Sequence, residues 1–482
     1  MPTRPSSLPP PNGPLGIIVI VTALAAAGTL LAASMRDDDP LSVAGLALVG
    51  AMPVGILAAY GHFGRDRWEL PTPGAFIFLF WLLGIGPALL AWTDYFASFL
   101  QFSPEAVPWA RIVTFVWFLL FALAMGPAPQ RSEPAEDHVG QWVTFVTGLA
   151  LWAIATSIAA RNGGLSQYRA TMAVNAVGGS DSAWEGIYNG MTPLVLPLGV
   201  AAAAQARPLL RALGVFAIAA GTAGLFVRSE RREAVISVYL CLCMLRAYRV
   251  RLSWRSTVPV IAIAWLLTGP VVTLYRRYQL EDAATTDNPV QQALAATLDF
   301  AGNAKARARA SEESARNLRD RLGVSTLLFA MTDVAMHQGA HGSPSFLEPL
   351  VRMVPTVLWP EKNDVAAGLN AETQFRSLDG VPDMDCGPSP IAEFVFEFGL
   401  WAGVLGGIAY GLVCRLINAT SARSASAGPW GFAWLAAVIS FAHFDGGTSI
   451  LGALREPIAI AICAGLIASL ARPPMVVRTV RV

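Results

Sequence analysis

Long apolar runs separated by short polar breaks fill the chain from residue 15 to residue 471. They fall near 15–34, 41–61, 74–92, 107–126, 141–160, 187–206, 208–227, 233–249, 257–275, 389–413, 429–445 and 453–471. Most approach the roughly 20 residues a helix needs to cross the hydrocarbon core of a bilayer. Backbone groups in lipid must be satisfied within their own segment, which selects helix. The pattern predicts an all-α, polytopic transmembrane bundle of about twelve spans. The fourth run carries Arg111 and the eighth carries Arg246 near its end.

The interval 276–388 breaks this rhythm. A loop of such length usually has structure of its own and a function. Asp287-Asn288-Pro289 offers an N-cap followed by proline at the first helical position. Helical sequence continues from there to about Gly323, and onward toward Met336. Glu312 and Arg316 stand at i, i+4, the spacing of a solvated helix. Lys305, Arg307, Arg309, Arg316, Arg319 and Arg321 read as its solvated basic face, with contact to headgroups or a phosphate as the alternative.

Arginine counts give sidedness. With a cytoplasmic N-terminus, the short cytoplasmic loops gather about fifteen basic residues against about seven opposite. Both termini are then cytoplasmic and the long loop lies outside, where its length exempts it from the count. The expected organisation is a disordered cytoplasmic segment 1–14, a transmembrane bundle 15–275, a large periplasmic loop 276–388 containing helices, further spans across 389–471, and a cytoplasmic tail 472–482.

Composition agrees, at 54% hydrophobic and 14% charged. A net charge of +1 argues against nucleic acid as a partner. The five cysteines form neither a disulfide framework nor a zinc spacing. Only two lysines occur, Lys305 and Lys362.

Chemistry concentrates on the outer side. Arg228, Arg231 and Arg232 follow the run 208–227 and lie outside, against the prevailing charge bias. Snorkelling accounts for arginine at a span end. Planar, permanently charged guanidinium groups also suit bidentate binding of a diphosphate. The segment from Glu348 to Ser377 interleaves Arg352, Lys362 and Arg376 with Pro355, Trp359 and Pro360. Glu393 and Glu397 then share one face in the first turns of the span 389–413, with Glu397 one turn deeper. Ionisable residues in a span are functional candidates by default. Interaction with the helix dipole is the structural alternative for Glu393. His337 and His341 flank Gln338-Gly339-Ala340.

Arg352, Pro355, Leu358-Trp359-Pro360, Lys362, Ser389-Pro390, Glu393, Phe398-Gly399 and Gly403, in this order, resemble the O-antigen and exopolysaccharide repeat-unit polymerases (Wzy type), which are related to the O-antigen ligases. Ser229-Glu230-Arg231-Arg232 is similar to a Ser-Xaa-Arg-Arg signature of that superfamily. Arg352 and Gly368 also keep the family's spacing of arginine, fifteen residues, glycine. An earlier loop misses that spacing by one residue, from Arg161 to Gly178 and from Arg169 to Gly186. The likeness covers residues 225–411, and the N-terminal half only by hydropathy.

The resemblance implies a glycosyltransferase of the bacterial inner membrane. Lipid-linked oligosaccharide repeat units would be joined at the outer face, with polyprenyl diphosphate as leaving group. Arg228, Arg231, Arg232, Arg352, Lys362 and Arg376 would bind the diphosphate. Glu393 would be the base, with His341 as second choice. The partners would be the polyprenyl-diphosphate-linked oligosaccharide, the bilayer and a chain-length regulator.

No cofactor or metal is expected. Asp37-Asp38-Asp39 and Asp383-Met384-Asp385 read as solvated loop acids rather than a metal site, since two or three adjacent acids are far more often solvated loop residues. Three rival readings are an O-antigen ligase, a metal-dependent lipid-linked glycosyltransferase and a lipid-linked glycan flippase. A transporter more naturally carries inverted repeats and broken spans at mid-depth. Pro193, Pro197 and Pro270 interrupt runs here without a repeat.

Overall fold

A computed structural model describes mainly residues 51–63, 70–85, 105–129, 208–228, 237–243, 289–321, 324–342, 358–369 and 389–424, with isolated positions between. The expected spans 15–34, 429–445 and 453–471 and both terminal segments lie outside the described residues. The described residues are helical, with no strand among them. Among the described residues these helices have defined bounds: α1 (Pro73–Ile85), α2 (Ala106–Met125), α3 (Pro208–Arg228), α4 (Pro289–Gly302), α5 (Ala304–Arg321), α6 (Val324–Gln338), α7 (Lys362–Leu369) and α8 (Pro390–Ser424). Among the described residues one helix, Pro390–Ser421, is long and apolar enough to cross a membrane. Pro73–Leu82, Trp109–Met125 and Pro208–Thr222 are shorter apolar helices.

Local chemistry sets several helix starts. Thr72 precedes Pro73, and its Oγ1 accepts from the Ala75 N–H at 3.3 Å, an N-cap with proline at the first helical position. Helix α4 begins at Pro289, as the Asn288-Pro289 pair predicts. The helical run does not continue unbroken to Gly323. Asn303 interrupts it, and its Oδ1 accepts from the N–H groups of Lys305 and Ala306 at 3.1 and 3.3 Å, capping α5. Helix α6 follows as a separate element.

The core is built on α8, which packs most extensively against α2, then α6 and α1. Its glycines make this possible. A Cβ on Gly407 would lie 2.3 Å from the Trp117 carbonyl oxygen, and one on Gly411 would lie 2.5 Å from that of Phe121. Small residues at every fourth position let two backbones approach to this distance, as in membrane helix pairs. The pairings 117 with 407 and 121 with 411 make α2 and α8 parallel. Helix α1 runs against both. The Gly74 N–H donates to Asn418 Oδ1 at 2.7 Å, while Trp81 meets Tyr410 at a ring separation of 4.8 Å. Trp81 also stacks on Trp117 at 5.5 Å and 9°. Such ring pairs contribute about 0.5–1.5 kcal/mol beyond the area they bury.

One end of the bundle is tied by a buried histidine. His62 Nε2 lies 2.7 Å from the Gly126 carbonyl oxygen, and Nδ1 lies 2.8 Å from Thr72 Oγ1. A carbonyl only accepts, so Nε2 donates to it. In the neutral ring, Nδ1 then accepts from the threonine hydroxyl. The end of helical segment 51–59, the start of α1, the end of α2 and Asn418 of α8 therefore meet at one level. The chain alternates direction through 51–59, α1 and α2.

Candidate functional site

The site forms where α8 is broken. Gly399 has φ 81° and ψ 174°, outside the helical region and open essentially to glycine alone. Residues 390–398 form a short helix that folds back along 400–424. A Cβ on Gly403 would lie 2.6 Å from Val395 Cγ2, and one on Gly406 would lie 3.0 Å from the Phe394 ring. Phe394 also meets Tyr410 edge-on at 6.1 Å.

This corrects the expectation of one continuous span over 389–413. The apolar pattern runs through Gly399 without a break, but the backbone reverses there. The order of the acids along the longer part of α8 reverses with it. Glu393 lies toward the level of Tyr410, whereas Glu397 lies nearer the Gly399 turn.

Ser389 and Pro390 start the short helix. Ser389 Oγ accepts from the Ala392 N–H at 3.2 Å, and the Glu393 N–H donates to the Ser389 carbonyl at 3.0 Å. The last carbonyls of such a helix have no partner within it. Here the loop after α6 supplies partners. The N–H groups of His341 and Gly342 donate to the carbonyls of Phe396 and Glu397, each at 2.9 Å. The His341 ring stacks on Phe396 at 4.7 Å. Phe375 meets the same ring edge-on at 5.7 Å.

Three carboxylates collect under this cover. Glu393 and Glu397 are each 3% exposed and Glu348 is 7% exposed. Glu348 acts electrostatically on Glu397. Tyr410, fully buried, lies within electrostatic reach of both Glu393 and Glu397. Tyr410 and Glu348 are the members that the sequence pattern does not reveal. The first reads as one aromatic among many in a span, and the second as an ordinary loop acid.

The predicted site residues divide. Glu393 is buried in the cluster, while His341 is exposed, stacked on Phe396 and bonded to the short helix through its backbone. Lys362 opens α7 with its side chain buried, and its N–H donates to the Trp359 carbonyl at 3.3 Å. Gln374, beside Phe375, donates from Nε2 to the Gly368 carbonyl at 3.0 Å, linking α7 to the cover over Phe396. Arg228 is the last residue of α3. Arg231, Arg232, Arg352 and Arg376 lie outside the described residues.

Within α6, Asp333 accepts from the Ser103 hydroxyl and also pairs with His337 at 3.3 Å. This contact fastens α6 to the segment before α2. Comparison with known proteins finds no matching family model, no matching curated protein and no matching solved structure.

Proposed function

We propose that this protein is a polytopic inner-membrane glycosyltransferase that polymerises lipid-linked oligosaccharide repeat units at the outer face of the membrane. One observation carries the reading. Glu393 is a buried carboxylate on a short helix folded back into an apolar bundle, a helix whose Phe396 is covered by His341 and Phe375. Burying a carboxylate without a task is costly, and such residues mark functional pathways. The direction reversal between α1 and α2, and the parallel course of α2 and α8, support the alternating topology that puts this cover outside.

In the proposed reaction an acceptor sugar hydroxyl attacks the anomeric carbon of the growing glycan. The new carbon–oxygen bond forms as the bond to the polyprenyl diphosphate breaks. Glu393 takes the hydroxyl proton, the role of a general base within hydrogen-bond reach. The diphosphate leaves with the bonding pair. Arg228, Arg231, Arg232, Arg352, Lys362 and Arg376 stabilise its growing charge, the largest kind of electrostatic contribution in such catalysis. The order of these residues and their resemblance to the repeat-unit polymerases support this assignment.

The Gly399 reversal also favours a second reading. Discontinuous helices near the bilayer midplane are the binding elements of transporters, so a lipid-linked glycan flippase is the alternative. Polysaccharide profiles of a deletion strain separate the two. Loss of long polymer with single-repeat caps retained supports the polymerase. Lipid-linked repeats trapped on the cytoplasmic face indicate the flippase. Loss of all capping points to a ligase.

A further inference from the structure

We propose that α4 and α5 form an arm that lies on the membrane surface, with its leucines in the lipid interface and its cations on anionic phospholipid headgroups. The proposal rests on the multi-span reading above, but uses none of the catalytic residues.

The arm has a distinct inner and outer side. Ala296 of α4 and Ala310 of α5 are buried against Leu274 and Tyr275, with Phe300 and Ala306 packed beside them. Leu274 and Tyr275 close the apolar run 257–275, and Arg276-Arg277 follow at once. An aromatic and basic residues at the end of an apolar run are the usual markers of a membrane–water boundary. The arm is therefore anchored at the height of that boundary.

Its outer side does not suit water alone. Leu294 and Leu298 stand one turn apart on α4 and are 59% and 63% exposed. Lys305, Arg307 and Arg309 follow on the first half of α5, all exposed. Helix α5 carries six basic residues against three acidic ones, and Arg309 pairs with Glu313 at 3.4 Å. An apolar stripe flanked by exposed cations is the composition of a helix lying in the interface, its apolar side about 5–10 Å into the headgroup boundary. Cations near an anionic leaflet are attracted to it. A solvated arm would account for the arginines of α5, but not for two exposed leucines anchored at the end of an apolar run.

The test uses the full chain in vesicles of phosphatidylcholine and phosphatidylglycerol, with the five native cysteines replaced by alanine. Spin labels are placed at Leu298→Cys and, as a depth reference, at Leu405→Cys on the exposed side of α8. Accessibility to oxygen and to a water-soluble nickel chelate is measured. The expected result is a deep label at 405 and a shallow, lipid-immersed label at 298. Lys305→Glu with Arg307→Glu should lift the second label into water and leave the first unmoved. A label at 298 in water while 405 stays immersed overturns the arm and leaves the spans standing. Both labels in water overturns both. Dipolar coupling between labels at 298 on two copies assigns the surface to self-association and also overturns the proposal. Should the cysteine-free chain fail to fold, a photoreactive phenylalanine at 298 in the native chain gives the same decision. Cross-links to phospholipid support the arm, and cross-links to a second copy or to nothing overturn it.

Discussion

Gly403 lies directly against Val395, eight positions earlier in the chain, so that a Cβ at 403 would stand 2.6 Å from Val395 Cγ2. In a continuous helix residues eight apart are separated by about 12 Å along the axis. The contact exists because Gly399 turns the chain back. It also brings Glu393 to the region of Tyr410. Gly403→Ala is expected to lower the thermal midpoint of the purified protein, and Val395→Ala in the same chain should restore part of the loss. A Gly403→Ala protein as stable as the wild type would contradict the fold-back.

A second pair of glycines tests packing against identity. Gly407 faces the Trp117 backbone at a distance no side chain can share, whereas Gly368 on α7 has nothing within 4 Å of an added Cβ. Gly407→Ala should destabilise by about 1–3 kcal/mol, the range of overpacked cores. Gly368→Ala should leave the midpoint unchanged or raise it slightly, since alanine is the better helix former by about 1 kcal/mol. Thermal unfolding in detergent distinguishes them; equal losses at both sites would contradict the packing.

The parts of this fold legible in the sequence are those fixed by local chemistry. Pro289 starts α4, Pro208 starts α3, and Ser389-Pro390 opens α8, each announced by a proline at the first helical position. The cap at Asn303 was equally local but lay inside a run whose periodicity continues on both sides. Gly399 was hidden for a different reason. Its neighbours Phe398 and Leu400 are apolar, so hydropathy passes smoothly through a point where the backbone reverses. The order of Glu393 and Glu397 along the longer part of α8 depends on that reversal. The roles of Tyr410, Glu348 and Phe375 depend on contacts between distant segments, which no local pattern encodes.

Sidedness has a direct test. Export-dependent reporters fused after Ser229 and after Gly342 should be active, and a fusion after Gly126, at the His62 end, should not. Cytoplasmic signals at Ser229 and Gly342 would reverse the orientation and put the carboxylate cover on the wrong side of the membrane.

The diphosphate seat predicts a particular substitution pattern. Arg231→Ala and Arg352→Ala should each abolish polymer while membrane levels of the protein persist. Arg→Lys at either position should rescue poorly, because a point charge lacks the bidentate fork. Normal polymer from both alanine variants would leave these arginines as interfacial anchors only.

The central claim is that buried Glu393 takes the acceptor proton, and Glu393→Gln addresses it with the shape of the side chain kept. The measurement is turnover by purified, reconstituted protein supplied with lipid-diphosphate-linked repeat units, alongside binding of the donor. If Glu393 only stabilised the start of the short helix, the change would cost about 0.3–1 kcal/mol, too little to stop a folded enzyme. The account predicts that donor binding and the thermal midpoint are retained while polymerisation is lost. Polymerisation by Glu393→Gln at close to the wild-type rate would contradict it.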